Sequence, residues 1–384
     1  MKDLNELFFS IYIEKIENRG EDAEPLIVVG DSSVLLGVFD GLGGAGSIQK
    51  YRIDNDTEYK SGAYVASRVT RGVIKWFFNH YNLHRFLELQ LNKKEFSFFD
   101  SLPLGRERKN NKVMKGYIKE FLNYLEKILT EELIKKENDY ADKAKVSMLK
   151  SKSVNLLPTT LALLYTTSIN SQKVTFSFWA GDSRVYKLNL GGLVQLTCDD
   201  IDEVDGSLES INSNAPMNNY INASKPFHIN YDFFLESESK QILIASTDGA
   251  FGVFDTPLLF ELAILNTLQE SNGLKMWKSK MQSILKERQN DDISLVIYPV
   301  GFKNFDEIKK FYKPRTNLLN SKSRPYINIE SDIKILEKQI KSLSYILDEK
   351  EVELENMKIR EWNGYSNHYL KQIKHHYEEK RREL

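Results

Sequence analysis

Six acidic residues stand where apolar runs begin or end. Asp40 follows VLLGVF (34–39) and opens the run Asp40-Gly41-Leu42-Gly43-Gly44. Glu21 and Asp22 lie just before LIVV (26–29). Asp248, followed by Gly249, closes QILIAST (241–247), and Asp291-Asp292 precede ISLVIYPV (293–300). A carboxylate at the end of a buried strand is costly unless it is compensated. Several that converge repel one another and raise each other's pKa. Divalent cations relieve that repulsion, and an all-oxygen donor set suits Mg2+ or Mn2+ rather than zinc or copper. Glycine beside an aspartate lets a backbone carbonyl or a water come close to an ion. Two ions sharing one carboxylate can activate a water for attack on phosphorus. Any single Asp-Gly is ordinary turn chemistry. The chemical reading comes from acidic residues at four strand ends together.

The elements that must position these groups follow from pattern. LFFSIYI (7–13) reads as a strand. The runs 26–29 and 34–39, separated by Gly30-Asp31-Ser32-Ser33, read as a hairpin, which brings Glu21 and Asp22 toward Asp40. Val65, Val69, Val73 and Phe77 recur every fourth residue, so 62–80 reads as a helix with one buried stripe. Residues 81–110 read as an exposed loop and 113–136 as a second helix. TLALLYTTS (160–168), VTFSFWA (174–180) and RVYKLNL (184–190) read as successive strands, with Gly181-Asp182-Ser183 as a tight turn. Residues 198–231 read as a long polar surface excursion. The runs 241–247 and 293–300 are continuously apolar, hence buried strands, with helices between them over 257–288.

Lysine plus arginine number 53 and aspartate plus glutamate 54, for a formal net charge of −1. That balance argues against a dedicated nucleic-acid binder. A hydrophobic fraction of 41% supports a real core. The single cysteine, Cys198, excludes an intramolecular disulfide and points to a reducing compartment, the cytoplasm. No run of about 18 apolar residues suggests a membrane span, and the first twenty residues lack the features of a signal peptide.

Six segments, in order, resemble the metal-dependent protein phosphatases of type 2C: Glu21-Asp22, VFDGLGG (38–44), PTTLALL (158–164), AGDSRVY (180–186), STDGAFG (246–252) and DDISLVI (291–297). The resemblance covers about residues 7–300. It implies an α+β fold, a four-layer α-β-β-α sandwich of two antiparallel sheets flanked by helices. It implies a centre of two Mn2+ or Mg2+ ions and hydrolysis of phosphoserine or phosphothreonine in a phosphoprotein substrate. Carried over by motif, Asp40 bridges both ions, the Gly41 carbonyl binds one, Asp248 and Asp291 bind the other, and Glu21 and Asp22 act through waters. The sequence departs from the family at several points. The phosphate-binding arginine falls at Glu17, leaving Arg19, two residues away, as the candidate phosphate ligand. Leu42 stands where many members have a histidine. Gly252 replaces an aspartate that helps hold a third ion, which argues against that third site; Asp182 and Asp255 are the residues that would assist it. Asp292 replaces an asparagine. The intact Asp40, Asp248 and Asp291 favour an enzyme. Leu42 and the displaced arginine favour a second reading, a catalytically weak binding or signalling module acting through its tail.

The expected organisation is a catalytic domain over 1–302, a linker over 303–328 and a helical tail over 329–384. Ile333, Leu336, Ile340, Leu343 and Leu347 follow a heptad pattern that Lys350 interrupts and Leu354 and Met357 resume. Three arrangements fit it: a parallel homodimer, a hairpin folded back at Asn363-Gly364, or a helix lying on the catalytic domain. Each allows docking of a partner such as a Ser/Thr kinase or its substrate.

Overall fold

A computed structural model describes residues 7–30, 33–43, 49–52, 58–81, 83, 104–141, 156–169, 172–201, 216–235 and 240–383. The strands are β1 (Phe9–Ile13), β2 (Ala23–Val29), β3 (Ser33–Phe39), β4 (Gln49–Tyr51), β5 (Lys60–Ser61), β6 (Leu161–Ile169), β7 (Gln172–Ala180), β8 (Arg184–Asn189), β9 (Gly192–Gln195), β10 (Asn230–Leu235), β11 (Gln241–Ser246) and β12 (Ile293–Val300). The helices are α1 (Gly62–His80), α2 (Leu104–Tyr140), α3 (Asp248–Phe251), α4 (Pro257–Gln269), α5 (Leu274–Glu287) and α6 (Phe305–Glu383). Two five-stranded sheets run β1-β12-β11-β8-β9 and β10-β7-β6-β3-β2. Their paired strands are antiparallel throughout. The chain divides into two compact units, Met1–Leu319 and Asn320–Leu384.

Three cores make the first unit a four-layer sandwich. Leu36, Val38, Ala162, Leu164, Val185, Leu243, Ala245 and Val296 fill the space between the sheets. The alternate residues of the same strands face the helices. Leu161 and Leu163 pack under α1 and α2 with Ile74, Phe77, Phe121 and Leu125. Ile242, Ile244, Ile293 and Leu295 pack under α4 and α5 with Phe260, Ile264, Trp277 and Met281. Period-two alternation with both faces buried explains why these strands read as unbroken apolar runs. The helix starts are also local. Ser61 accepts a hydrogen bond from the Tyr64 amide at 3.1 Å, and Thr256 caps α4 with Pro257 in its first turn.

Several elements differ from expectation. The α1 face is rotated: Val65 and Phe77 are buried, Val69 and Val73 only half-buried, and Ala66, Thr70 and Ile74 complete the stripe. A strict four-residue step drifts about 40° per turn on a 3.6-residue helix. The helix expected from 113 already begins at Leu104, and most of the remaining 81–110 loop lies outside the described residues. The polar excursion ends in β10, an edge strand on β7. Residues 303–328, expected as a linker, enter α6 at Phe305. Phe305, Ile308, Tyr312 and Leu319 belong to the second core, and the Tyr312 hydroxyl donates to the Leu188 carbonyl at 2.6 Å. The polar composition of that stretch masked a buried face of well-spaced apolar residues. The second unit is helical through Asn363 and Gly364, so no hairpin turn forms there. Among the described residues, no helix is long and apolar enough to cross a membrane.

Ending the chain at residue 302 would strip those four side chains from the second core. At roughly 1.5–3 kcal/mol per large buried side chain, the loss rivals a domain's net stability of about 5–15 kcal/mol. Thermal melts followed by circular dichroism should place a 1–302 chain at least about 15 °C below a 1–319 chain, if it folds at all. Equal melting points would show that the start of α6 adds nothing to the core.

Candidate metal and phosphate site

The acidic strand ends converge on one cavity of about 390 Å3, lined by Glu21, Asp40, Gly41, Leu42, Gly43, Asp182, Met217, Tyr220, Asp248, Asp291 and Asp292. Asp40 follows β3, and its backbone is clamped by the start of β6. Its amide donates to Thr160 Oγ1 at 3.1 Å, while its carbonyl accepts from the Thr160 amide at 2.8 Å and from Thr159 Oγ1 at 2.6 Å. Thr160 Oγ1 and Ser183 Oγ lie 2.7 Å apart, which ties Asp40 to the turn carrying Asp182. The register shift in β2, between Ala23 and Leu26, sets Ala23 opposite Phe39 and so brings Asp22 beside Asp40. Thr247 Oγ1 donates to Asp22 Oδ2 at 3.0 Å and accepts from the Ser294 amide at 3.0 Å, joining β2, β11 and β12. Asp248 follows as the first residue of α3.

Asp292 is a positioning residue. Its two oxygens accept from the Lys15 amide at 2.7 Å and the Glu21 amide at 2.5 Å, which anchors the β1–β2 connection. Arg68 holds the same connection from α1, donating to the Gly20 carbonyl and to the Tyr12 hydroxyl at 3.1 Å each. Two glycines are required by close approach. A Cβ at Gly41 would collide with the carbonyls of Glu21 and Ala63, and one at Gly249 with the carbonyl of Asp292.

Six of the lining residues are carboxylates, and no lysine or arginine is among the described lining. Burial, followed by the charges of Asp22, Asp248 and Asp182, pushes Asp40 well above its ordinary pKa. Burial, then Asp292, raises Asp22 to about 8. Burial, then Asp248 and Asp199, raises Asp182 to about 7. Burial also raises Asp248 and Glu21. The Asp22 and Asp248 carboxyl groups both stand beside the Asp40 side chain. Among the described residues, no three acidic, histidine or cysteine side chains are already gathered around a common point at metal-ligand spacing. The donor chemistry nonetheless fits a hard divalent cation. It is all oxygen, and Asp182 Oδ1 is buried without a hydrogen-bond partner.

Of the residues singled out from sequence, Glu21, Asp40, Gly41, Asp182, Asp248 and Asp291 all line the cavity. Asp22, 1% exposed, sits directly behind Asp40. Arg19 is exposed and does not line the cavity; its amide closes a turn on the Ile16 carbonyl. His228 is exposed and joins the site region only through backbone hydrogen bonds with Asn219. Met217 and Tyr220 escaped the sequence reading. They come from the polar excursion, which has no periodicity to flag them. Its order is imposed by long-range contacts: Ile221 and Thr159 exchange backbone hydrogen bonds at 2.9 and 3.0 Å. Asp200 accepts from the Gly181 amide at 3.0 Å, Asn219 Nδ2 at 2.7 Å and Asn230 Nδ2 at 2.9 Å, which fastens the excursion to the Asp182 turn.

No family model matches this chain, and no curated protein matches it. Solved structures similar to it include a bacterial serine phosphatase at 12% identity, covering 76% of this chain and 97% of that one with a TM-score of 0.45. The serine/threonine phosphatase Stp1 from Staphylococcus aureus is similar at 13% identity, 76% and 94% coverage and a TM-score of 0.44. The Mycobacterium tuberculosis serine/threonine phosphatase PstP/Ppp is similar at 12%, 77% and 98% coverage and a TM-score of 0.42. Likenesses this loose assign no activity to the chain. The sandwich and the carboxylate cluster stand on the chain's own geometry.

The raised carboxyl groups give the cation-free protein a defined pH response. A carboxyl whose folded pKa exceeds its unfolded value favours folding below the unfolded value and loses that contribution as pH rises through the folded one. With Asp182 at about 7 and Asp22 at about 8, both from an ordinary value of 3.8, the melting temperature in chelator should fall from about pH 4 to pH 8 and level off above that. Asp22→Asn should flatten that fall. Calorimetry showing a rise over this range would contradict the electrostatics described.

Proposed function

We propose that this protein hydrolyses phosphoserine and phosphothreonine in phosphoprotein substrates in the cytoplasm, using water as the nucleophile and two Mn2+ or Mg2+ ions as cofactors. The supporting observation is the meeting of Asp40, Asp182, Asp248 and Asp291 with Glu21 in one cavity whose described lining offers no cation. Bound there, the ions supply charge neutralisation for the phosphate and lower the pKa of an attacking water. Asp40, held by Thr159 and Thr160, would be one of the residues that hold the ions. The Gly41 carbonyl, Asp248 and Asp291 would hold the ions with it. Glu21 and Asp22 act through waters, and Asp182 is the candidate for a third ion. Phosphoryl transfer needs neutralisation and alignment more than a covalent nucleophile. Exposed Cys198 has no part in it. Leu42 has no proton to give, so the leaving-group acid does not come from that position. Arg19 is turned to solvent, so no guanidinium of the described lining would take the phosphate's charge.

Leu42 and the exposed Arg19 also favour the second reading, a phosphatase-fold module that binds phosphoproteins but turns them over weakly. Assays with a phosphothreonine peptide, Mn2+ or chelator separate the two. Under the enzyme reading, Asp40→Asn and Asp248→Asn each lower kcat/KM at least about 100-fold, roughly 2.7 kcal/mol of barrier. Wild-type turnover no faster than either variant would leave only the binding module.

A further inference from the structure

Among the described residues, an apolar stripe on the second unit is exposed. Residues 329–357 are helical without interruption. Ile333, Ile340, Leu347 and Leu354 recur every seventh residue, and Ile329, Leu336, Leu343 and Met357 occupy the intervening core positions. In the single chain all eight are 49–65% exposed. The stripe is about 42 Å long at 1.5 Å per residue. A helix that carries such a stripe must bury it, and monomers rarely leave so large a patch in water. The unbroken helix through Asn363-Gly364 removes the fold-back that could have covered it from within the unit.

We propose that a second copy of this chain covers the stripe, as a parallel, in-register, two-stranded coiled coil over residues 329–357. Three features select this occupant. The first is side-chain shape. Isoleucine at the a positions 333 and 340 with leucine at the d positions 336 and 343 is the combination that packs best in parallel pairs. The second is Lys350, which interrupts the stripe at a d position. In a parallel in-register pair the two lysines share one layer, so all eight apolar layers stay intact. A slip by a heptad, or an antiparallel pairing, sets each lysine against a different apolar layer and spoils two. Lys350 Nζ already pairs with Glu353 at 2.5 Å on the outer flank, which draws its charge away from the seam. The third is flanking charge. Glu353 at g faces Lys358 at e of the other copy, five residues on, an attractive pair in the parallel arrangement. Asp332 and Glu337 form a like-charged pair at the entrance, a cost confined to the first heptad. Beyond Met357 the apolar positions resume at Trp362, Tyr365 and Tyr369, and the step from Leu354 to Tyr365 is eleven residues in place of seven. That change of phase ends the left-handed seam near residue 357.

The experiment uses the full chain with Cys198→Ser, so that an introduced thiol is the only one present. Leu343→Cys places a thiol at a d position, and Tyr345→Cys places one on the outer face. Mass in solution is read by light scattering at tens of micromolar before oxidation. Crosslinking is then read on non-reducing denaturing gels, and circular dichroism confirms that each variant keeps the parent's helicity. The expected result is a mass of two chains and a disulfide that forms at least tenfold faster at 343 than at 345. A mass of one chain overturns the proposal. So does a mass of three or more, or a two-chain mass without preferential crosslinking at 343, which would mean another orientation or register.

Discussion

The repulsion among carboxylates at the ends of the central strands governs this molecule. Asp40, Asp182, Asp248, Asp291, Asp292 and Glu21 share one cavity, with Asp22 packed behind them. Asp22 and Asp292 are buried, Glu21, Asp40, Asp182 and Asp248 are half-buried and Asp291 is exposed, so water screens the cluster only in part, and the described lining offers no lysine or arginine to neutralise it. Two remedies are open to such a cluster: protons or divalent cations. The raised pKa values of Asp22 and Asp182 show what protons alone achieve. The buried, unpartnered Asp182 Oδ1 shows what they leave unsatisfied.

The rest of the first unit serves to hold that arrangement against its own repulsion. Two sheets packed face to face, each backed by helices, fix the strand ends as rigid mounts. Hydroxyl groups then lock the backbone at each mount. Thr159 and Thr160 grip Asp40, and Thr247 links Asp22 to β12. Asp292 spends its oxygens on the amides of Lys15 and Glu21, so it is an anchor first and a lining residue second. Gly41 and Gly249 are the points where backbone from separate elements comes too close for any side chain. A site on strand ends braced in this way is more sharply placed than one on loops alone.

Much of this was legible in the sequence because buried strands and their punctuation have strong local signatures. The unbroken runs 241–247 and 293–300 and the Asp-Gly pairs beside them located β11, β12 and most of the acidic lining. The β2–β3 hairpin followed from a turn-rich tetrad, and with it the approach of Asp22 to Asp40. What stayed hidden depends on long-range contact. Met217 and Tyr220 sit in a polar stretch whose described part is tied down through Ile221 to Thr159 and through Asp200 to Gly181, partners outside the stretch. The start of α6 read as a linker because Phe305, Ile308 and Tyr312 are diluted by lysine and asparagine, and only packing on α4, α5 and β8 reveals their common face. Arg19 looked available from its position in the chain, yet the turn that precedes β2 points it outward.

If the carboxylate cluster binds divalent cations, direct titration reveals it without reference to any substrate. Titrating Mn2+ into the purified full chain at neutral pH, with free Mn2+ followed by electron paramagnetic resonance, should show the ion sequestered by the wild type. Binding should be weakened at least tenfold by Asp40→Asn, with the protein still folded. Free Mn2+ that rises equally with and without protein, or binding unchanged by Asp40→Asn, would contradict the account.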